Sequence, residues 1–170
     1  GQIRRMNNVA TYLDSMLTAQ DVLDFGAEHV VIATGCHWRR DGYGRTHGES
    51  LRDFVDNPAV FTPDDIMDGR LPDGPVALYD DDYFHTGSVI AEALRKAGRE
   101  VFYVTPDDTI ASWSAHTLDY RHIQWRMAEL GVEQVVSHSV TGFADGRLSL
   151  EHAWSGKPRT LDCEAVVTIT

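Results

Sequence analysis

Thirty consecutive residues, Val76 to Thr105 (VALYDDDYFHTGSVIAEALRKAGREVFYVT), constrain the fold of this chain more than any other stretch. Val76–Tyr79 is a short apolar run of strand-forming residues. From Ser88 to Ala97, Val89, Ile90, Ala93, Leu94 and Ala97 recur at helical spacing, with Glu92, Arg95 and Lys96 facing elsewhere. Gly98 then ends the helix, because glycine takes a left-handed cap without strain. Val101–Val104 follows as a second apolar strand. A strand, a helix and a strand within about 30 residues make the βαβ unit of a parallel sheet.

Such a unit, of Rossmann type, holds a dinucleotide when its first turn reads G-x-G-x-x-G, since those glycines bring backbone amides at the helix start close to a pyrophosphate. The turn here is Asp80-Asp81-Asp82-Tyr83-Phe84-His85-Thr86-Gly87, about two residues longer. Gly87 alone remains as a cofactor-binding candidate, and three carboxylates stand where phosphates would lie. Two like charges a few ångströms apart repel by roughly 1 to 4 kcal/mol, depending on the local dielectric. The expectation is a unit that has lost tight dinucleotide binding; the alternative is a variant site that still binds one. Thr105, where a ribose-binding acid usually stands, has no carboxylate. Nor do the aspartates match a calcium loop, which needs acids at alternate positions followed by Gly and Glu, so they read as solvated loop or helix-start charges.

Composition narrows the partners. With 170 residues, 42% of them hydrophobic, the chain can bury a core, and a formal charge of -11 argues against nucleic acid or an anionic membrane. The two cysteines, Cys36 and Cys163, form no C-x-x-C, which excludes a zinc or iron–sulfur site built from this chain alone and points to a reducing, cytoplasmic setting. Cys36 reads as a packed thiol. The eight histidines fall singly, without the spacing of a zinc enzyme, so no metal ligand is assigned. No run approaches the roughly 20 apolar residues of a membrane span, and the first residues lack the apolar core expected of a signal peptide. Ser112 and Ser114 lack a nucleophile elbow. Trp113, Tyr120 and Trp125 read as core or interface anchors.

Around the central unit, Val9–Leu13 reads as a short strand, Thr18-Ala-Gln-Asp21 as a capped helix start running to Gly26, and His29–Ala33 as a central strand leaving through Thr34-Gly35. Cys36 to Ala59, rich in Gly, Arg, His and Asp, is expected to be a surface excursion or linker. Thr62-Pro63-Asp64-Asp65 starts a short helix. After Pro106, a helix is expected from about Thr117 to Leu130, with Leu118, Ile123, Trp125 or Met127, and Leu130 on its apolar side. A strand follows at Val132–Ser137, then a hairpin turning at Asp145-Gly146, a strand through Leu161 and an apolar strand at Ala165–Thr170. This order predicts an α/β fold of nested domains: residues 1–61 as part of an outer FAD-like domain and linker, 62–163 as a nested NAD(P)-binding-like domain, and 164–170 as a return strand to the outer domain. Because the chain stops within a strand pattern, it reads as part of a longer protein.

Several of these motifs occur together in one known family. HVVIATG with a nested βαβ domain resembles flavoprotein disulfide reductases. VVIATGCHWRRDGYG, FTPDDIMDG, the Val76–Thr105 run and SAHTLDYRHIQWRMAELGV more closely resemble the C-terminal half of the trimethylamine dehydrogenase and histamine dehydrogenase family of old-yellow-enzyme-like NADH:flavin oxidoreductases. The likeness covers nearly the whole chain. It implies a parent with an FMN barrel, a four-iron four-sulfur cluster and ADP or FAD, none of them carried by this segment, which would hold no catalytic residue. Thr34 and Gly35 would approach a flavin or ADP, the plainer reading being a tight turn. The missing barrel would be the main partner, an electron-transfer flavoprotein would take the electrons, and exposed apolar surface would lead to a homo-oligomer. In the 2,4-dienoyl-CoA reductase branch the nested domain binds NAD(P)H, which is the alternative reading. A freestanding protein-interaction domain is a third. The acidic turn sides with the amine dehydrogenases.

Overall fold

The computed structural model describes residues 3–170. The chain divides into two units, Gly1–Cys36 and His37–Thr170.

In the first unit, α1 (Ala19–Phe25) starts as its sequence requires: Thr18 accepts from the Asp21 amide, Asp21 accepts from the Thr18 amide, and Gly26 closes the helix at a φ of 70°. None of its residues is buried. His29–Ala33, expected as a central strand, pairs with no strand among the described residues, and Val31 and Ile32 are 87% and 81% exposed. Val9–Leu13 likewise forms no strand. An apolar run of this kind becomes a strand only between hydrogen-bonding neighbours, and the described residues of this unit supply none.

The second unit is layered. Its middle is a five-stranded parallel sheet in the order β1 (Val60–Phe61), β8 (Ala165–Ile169), β2 (Val76–Asp80), β3 (Val101–Val104), β4 (Glu133–Val135). Side chains alternate between faces along each strand. Val76, Leu78, Val101, Tyr103, Val167 and Ile169 meet a helical layer of α2 (Pro63–Met67), α3 (Thr86–Lys96) and α4 (Tyr120–Glu129). Ala77, Tyr79, Val104 and Val166 meet an antiparallel sheet of β5 (His138–Ala144), β6 (Arg147–His152) and β7 (Pro158–Asp162). Both faces of β2 and β8 are therefore covered, which is why their sequences are apolar throughout.

Local signals placed most elements. Gly98 caps α3 at a φ of 80°. Thr62 and Asp65 form a capping box with Pro63 in the first turn of α2. Asp145 and Gly146, both at positive φ, turn the β5–β6 hairpin.

Three expectations differ in detail from the structure. Residues 164–170, expected as a return strand, contain β8, which is paired over its whole length with β2 and also with β1, inside the sheet of the βαβ unit. Its two-sided apolar pattern reports burial between layers, and that is common to any central strand. The helix expected from Thr117 is a 3-10 turn (Ser112–Thr117), a left-handed Leu118 at a φ of 67°, and α4. Leu118 is thus 90% exposed, while Ile123 and Met127, four apart, face the core. The stretch expected as a surface excursion or linker is mostly exposed, as an excursion is, but is tied down at a few points from Trp38 onward. Phe54 is fully buried against the antiparallel layer, a burial contributing roughly 1.5–3 kcal/mol. Arg40 donates to the Val60 carbonyl and pairs with the buried Asp65 at 2.7 Å.

Candidate functional site

In an open parallel sheet, ligands bind outside the carboxyl ends of the strands, where successive connections run to opposite sides. Here that place is the end of β2, flanked by β8 and β3. Asp80 is the last residue of β2, the loop Asp81–His85 follows, and α3 begins at Thr86.

The aspartates of this loop were expected in solvent, yet Asp80 and Asp81 are each 1% exposed. Asp80 accepts the backbone N–H groups of Asp82 and Tyr83 on Oδ1, at 2.9 and 3.0 Å, and the Tyr103 hydroxyl on Oδ2 at 2.5 Å. Burial pushes its carboxyl up to about 6, against the pull of those three donors, the Tyr103 hydroxyl foremost. Tyr103 is driven well above the usual phenol range, first by its own burial and then by Asp80, and so remains a donor. A side chain on Gly87 would run into the Tyr103 hydroxyl and the Asp80 carboxylate. The absence of a side chain at Gly87 therefore makes room for this pair, in the first turn of α3, where a helix start favours an anion. The anion beside that turn is the protein's own.

Asp81 is equally engaged. Its Oδ1 accepts the hydroxyls of Thr46 and Tyr83, both at 2.6 Å, and its Oδ2 accepts the Thr46 amide at 2.7 Å. Burial, and next the bond to Asp81, raise the Tyr83 phenol above its ordinary value. Gly44 passes so close to Asp81 and Thr170 that a Cβ there would collide with both. Arg45 pairs with Asp82 at 3.7 Å and lies 5.5 Å from the Tyr83 ring centre and 5.1 Å from that of Trp113. At the end of β3, Thr105 is buried, and Asp107, two residues on, is occupied by the Ser112 hydroxyl at 2.5 Å.

Thr34 and Gly35 belong to the first unit. Gly35 has a φ of 77° and open space on its Cβ side. Thr34 lines an open cavity of about 620 Å³ within the first unit, with Tyr12, Val22, Phe25, Val30 and Ile32. Cys36 is exposed rather than packed, and Cys163 is buried, its thiol pushed up to about 11 by burial. Two cysteines do not make the four-thiolate donor set of an iron–sulfur cluster. Among the described residues no three His, Cys, Asp or Glu side chains converge to hold a metal ion. The fold does bring together two histidines that the sequence scatters, His138 and His152, with ring centres 5.1 Å apart. Between α3 and α4, Glu92 is held at about 2 by hydrogen bonds from Arg126 and Lys96, each at 2.7 Å, and ties the two helices together.

Sequence reasoning missed Tyr103, Tyr83 and Thr46 as partners of the acidic turn. Position within the run was the usable signal for Asp80, which directly follows four buried strand residues. No local pattern marks Thr46, which lies 35 residues before Asp81.

The model of the OYE-like second alpha/beta domain matches residues 61–164. Dimethylamine dehydrogenase of Hyphomicrobium sp. (strain x) is 30% identical over 140 residues, which cover 81% of this chain and 19% of that protein. The structure of 6-hydroxypseudooxynicotine amine oxidase from Pseudomonas geniculata N1 superposes with a TM-score of 0.89 at 40% identity, covering 99% of this chain and 25% of that one. Histamine dehydrogenase from Rhizobium sp. 4-9 gives a TM-score of 0.86 at 40% identity, covering 99% and 26%. The chain thus spans about a quarter of these solved relatives. 2-Naphthoyl-CoA reductase, at 21% identity and a TM-score of 0.59 over 68% of this chain, shares the fold. No helix among the described residues is long and apolar enough to cross a membrane.

Proposed function

Because this chain belongs to the family of the OYE-like second alpha/beta domain, homologous to amine dehydrogenases of the trimethylamine dehydrogenase type, we propose that it serves as a non-catalytic scaffold segment of such an enzyme. The parent oxidises a small amine, using FMN and a four-iron four-sulfur cluster held elsewhere, and works in the cytoplasm. The barrel that carries that chemistry is the principal partner of this segment, and an electron-transfer flavoprotein accepts the electrons.

The observation that carries this reading is the Asp80–Tyr103 pair beside Gly87. A nicotinamide dinucleotide needs an open, glycine-lined turn whose amides reach its pyrophosphate. Here the amides of Asp82 and Tyr83 are bonded to Asp80, and the space against Gly87 is filled. These residues do not fit the cofactor, so we assign Gly87 a packing role. In the first unit, Thr34 and Gly35 are the residues we would place near an ADP or flavin, as part of an outer domain, since Gly35 offers an unobstructed backbone. The exposed apolar residues of that unit lead us to propose self-association of the isolated chain.

Calorimetric titration of the 170-residue chain with NADH, NADPH, ADP and FAD tests the reading. No heat is expected with either nicotinamide nucleotide. Micromolar binding of NADH or NADPH would overturn it, and would group the parent with reductases fed by those cofactors.

A further inference from the structure

We propose that residues 44–47 form a built-in plug over the carboxyl end of β2, with the Arg45 guanidinium seated in a cation-receptive cage made by Tyr83, Trp113 and Asp82. A cation within about 6 Å of an aromatic ring centre is attracted by the negative face of the ring. Arg45 meets that condition twice, at 5.5 and 5.1 Å, and has the Asp82 carboxylate at 3.7 Å.

The cage is assembled without help from Arg45. Tyr83 is fixed by its left-handed backbone, at a φ of 68°, and by its hydroxyl bond to Asp81. Trp113 is tied to it through its own backbone N–H, which donates to the Tyr83 carbonyl at 3.0 Å. The plug has a separate anchor: Thr46 gives both its amide and its hydroxyl to Asp81, and Gly44 supplies the close approach that a side chain would prevent. Behind it the Tyr79 hydroxyl is sealed from solvent, and so is Nε2 of His47, the last residue of the plug. A crevice of this topology takes a nucleotide anion in other sheets; in this chain its receptor groups are carboxylates and π-faces, which recognise a cation of the guanidinium or alkylammonium class. The occupant in the folded chain is Arg45.

Vacating the cage tests the inference. The chain is labelled with 5-fluorotryptophan and followed by fluorine NMR, with the Trp113 resonance assigned from Trp113→Phe. Methylguanidinium is the probe, and sodium chloride is the ionic-strength control. The intact chain is expected to show no saturable movement of the Trp113 resonance. Arg45→Ala should show saturable binding in the millimolar range, about tenfold tighter than any response of the intact chain, and adding Asp82→Asn should weaken it several-fold. Amide exchange at Gly44 and Thr46, faster in Arg45→Ala than in Arg45→Lys, gives an independent readout of the seating. An Arg45→Ala chain that folds but does not respond, or an intact chain that responds equally, overturns the proposal. So does unchanged exchange at Gly44 and Thr46. None of these outcomes bears on NADH binding, so the scaffold reading fails or survives separately.

Discussion

Replacing Tyr103 by phenylalanine removes one oxygen from the core and leaves Asp80 Oδ2 without its donor. The ring is retained, and the contact with Gly87 is relaxed rather than crowded. The magnitude depends on pH through Asp80, whose carboxyl titrates at about 6 in the folded chain against an ordinary 3.8. Asp80 therefore holds its proton more tightly folded than unfolded. Its contribution to stability is fully present below 3.8 and is lost as the pH rises through about 6, a change of about 3 kcal/mol. At about pH 8 the folded chain holds a buried carboxylate, and a hydrogen bond to a charged group contributes about 1.5–3 kcal/mol, so Tyr103→Phe should destabilise by that amount. At about pH 5 the carboxyl is neutral, and the same bond contributes only about 0.5–1.5 kcal/mol. Urea unfolding followed by circular dichroism at the two pH values measures the difference directly. Equal destabilisation at both, or a more stable variant at about pH 8, would refute the account of Asp80 as an internal anion.

Other consequences are as direct. Gly87→Ala forces a methyl group into the Tyr103 hydroxyl and should cost about 1–3 kcal/mol; combined with Tyr103→Phe the penalty should shrink, which a double-mutant cycle in urea reads as coupling. Asp81→Asn removes the charged acceptor of Thr46 and should raise amide exchange at Thr46 about tenfold or more, while β2 amides stay protected. Thr62→Ala deletes the α2 cap and should lower the unfolding free energy by about 1 kcal/mol in the same urea assay. In sedimentation velocity the chain should self-associate with rising concentration, and Val31→Asp with Ile32→Asp should reduce that, since both residues are largely exposed; a monomer at high concentration would contradict the proposed association.

Elements whose signals are local were legible in the residues. The capping boxes at Thr18 and Thr62, the stops at Gly26 and Gly98, and the Asp145-Gly146 turn each depend on atoms within four residues of one another. Assignments that needed to know what lay across the sheet were less secure. Ala165–Ile169 and His29–Ala33 have the same two-sided apolar character, yet one is the second strand of a five-stranded sheet and the other has no strand partner among the described residues. An apolar run records that a segment is suited to cover on both faces, never by which neighbours.

At the site, the sequence alone determined the makeup of the turn: with Gly87 its only glycine and three aspartates in place of the others, close approach of a pyrophosphate is disfavoured by sterics and charge together. Only the tertiary structure decided what took its place. Asp80 meets Tyr103 from the next strand, and Asp81 meets Thr46 from 35 residues upstream, so carboxylates that read as solvated charges are buried acceptors. The physical reason is that a carboxylate leaves water only where donors converge on it, and convergence between distant segments is a property of packing.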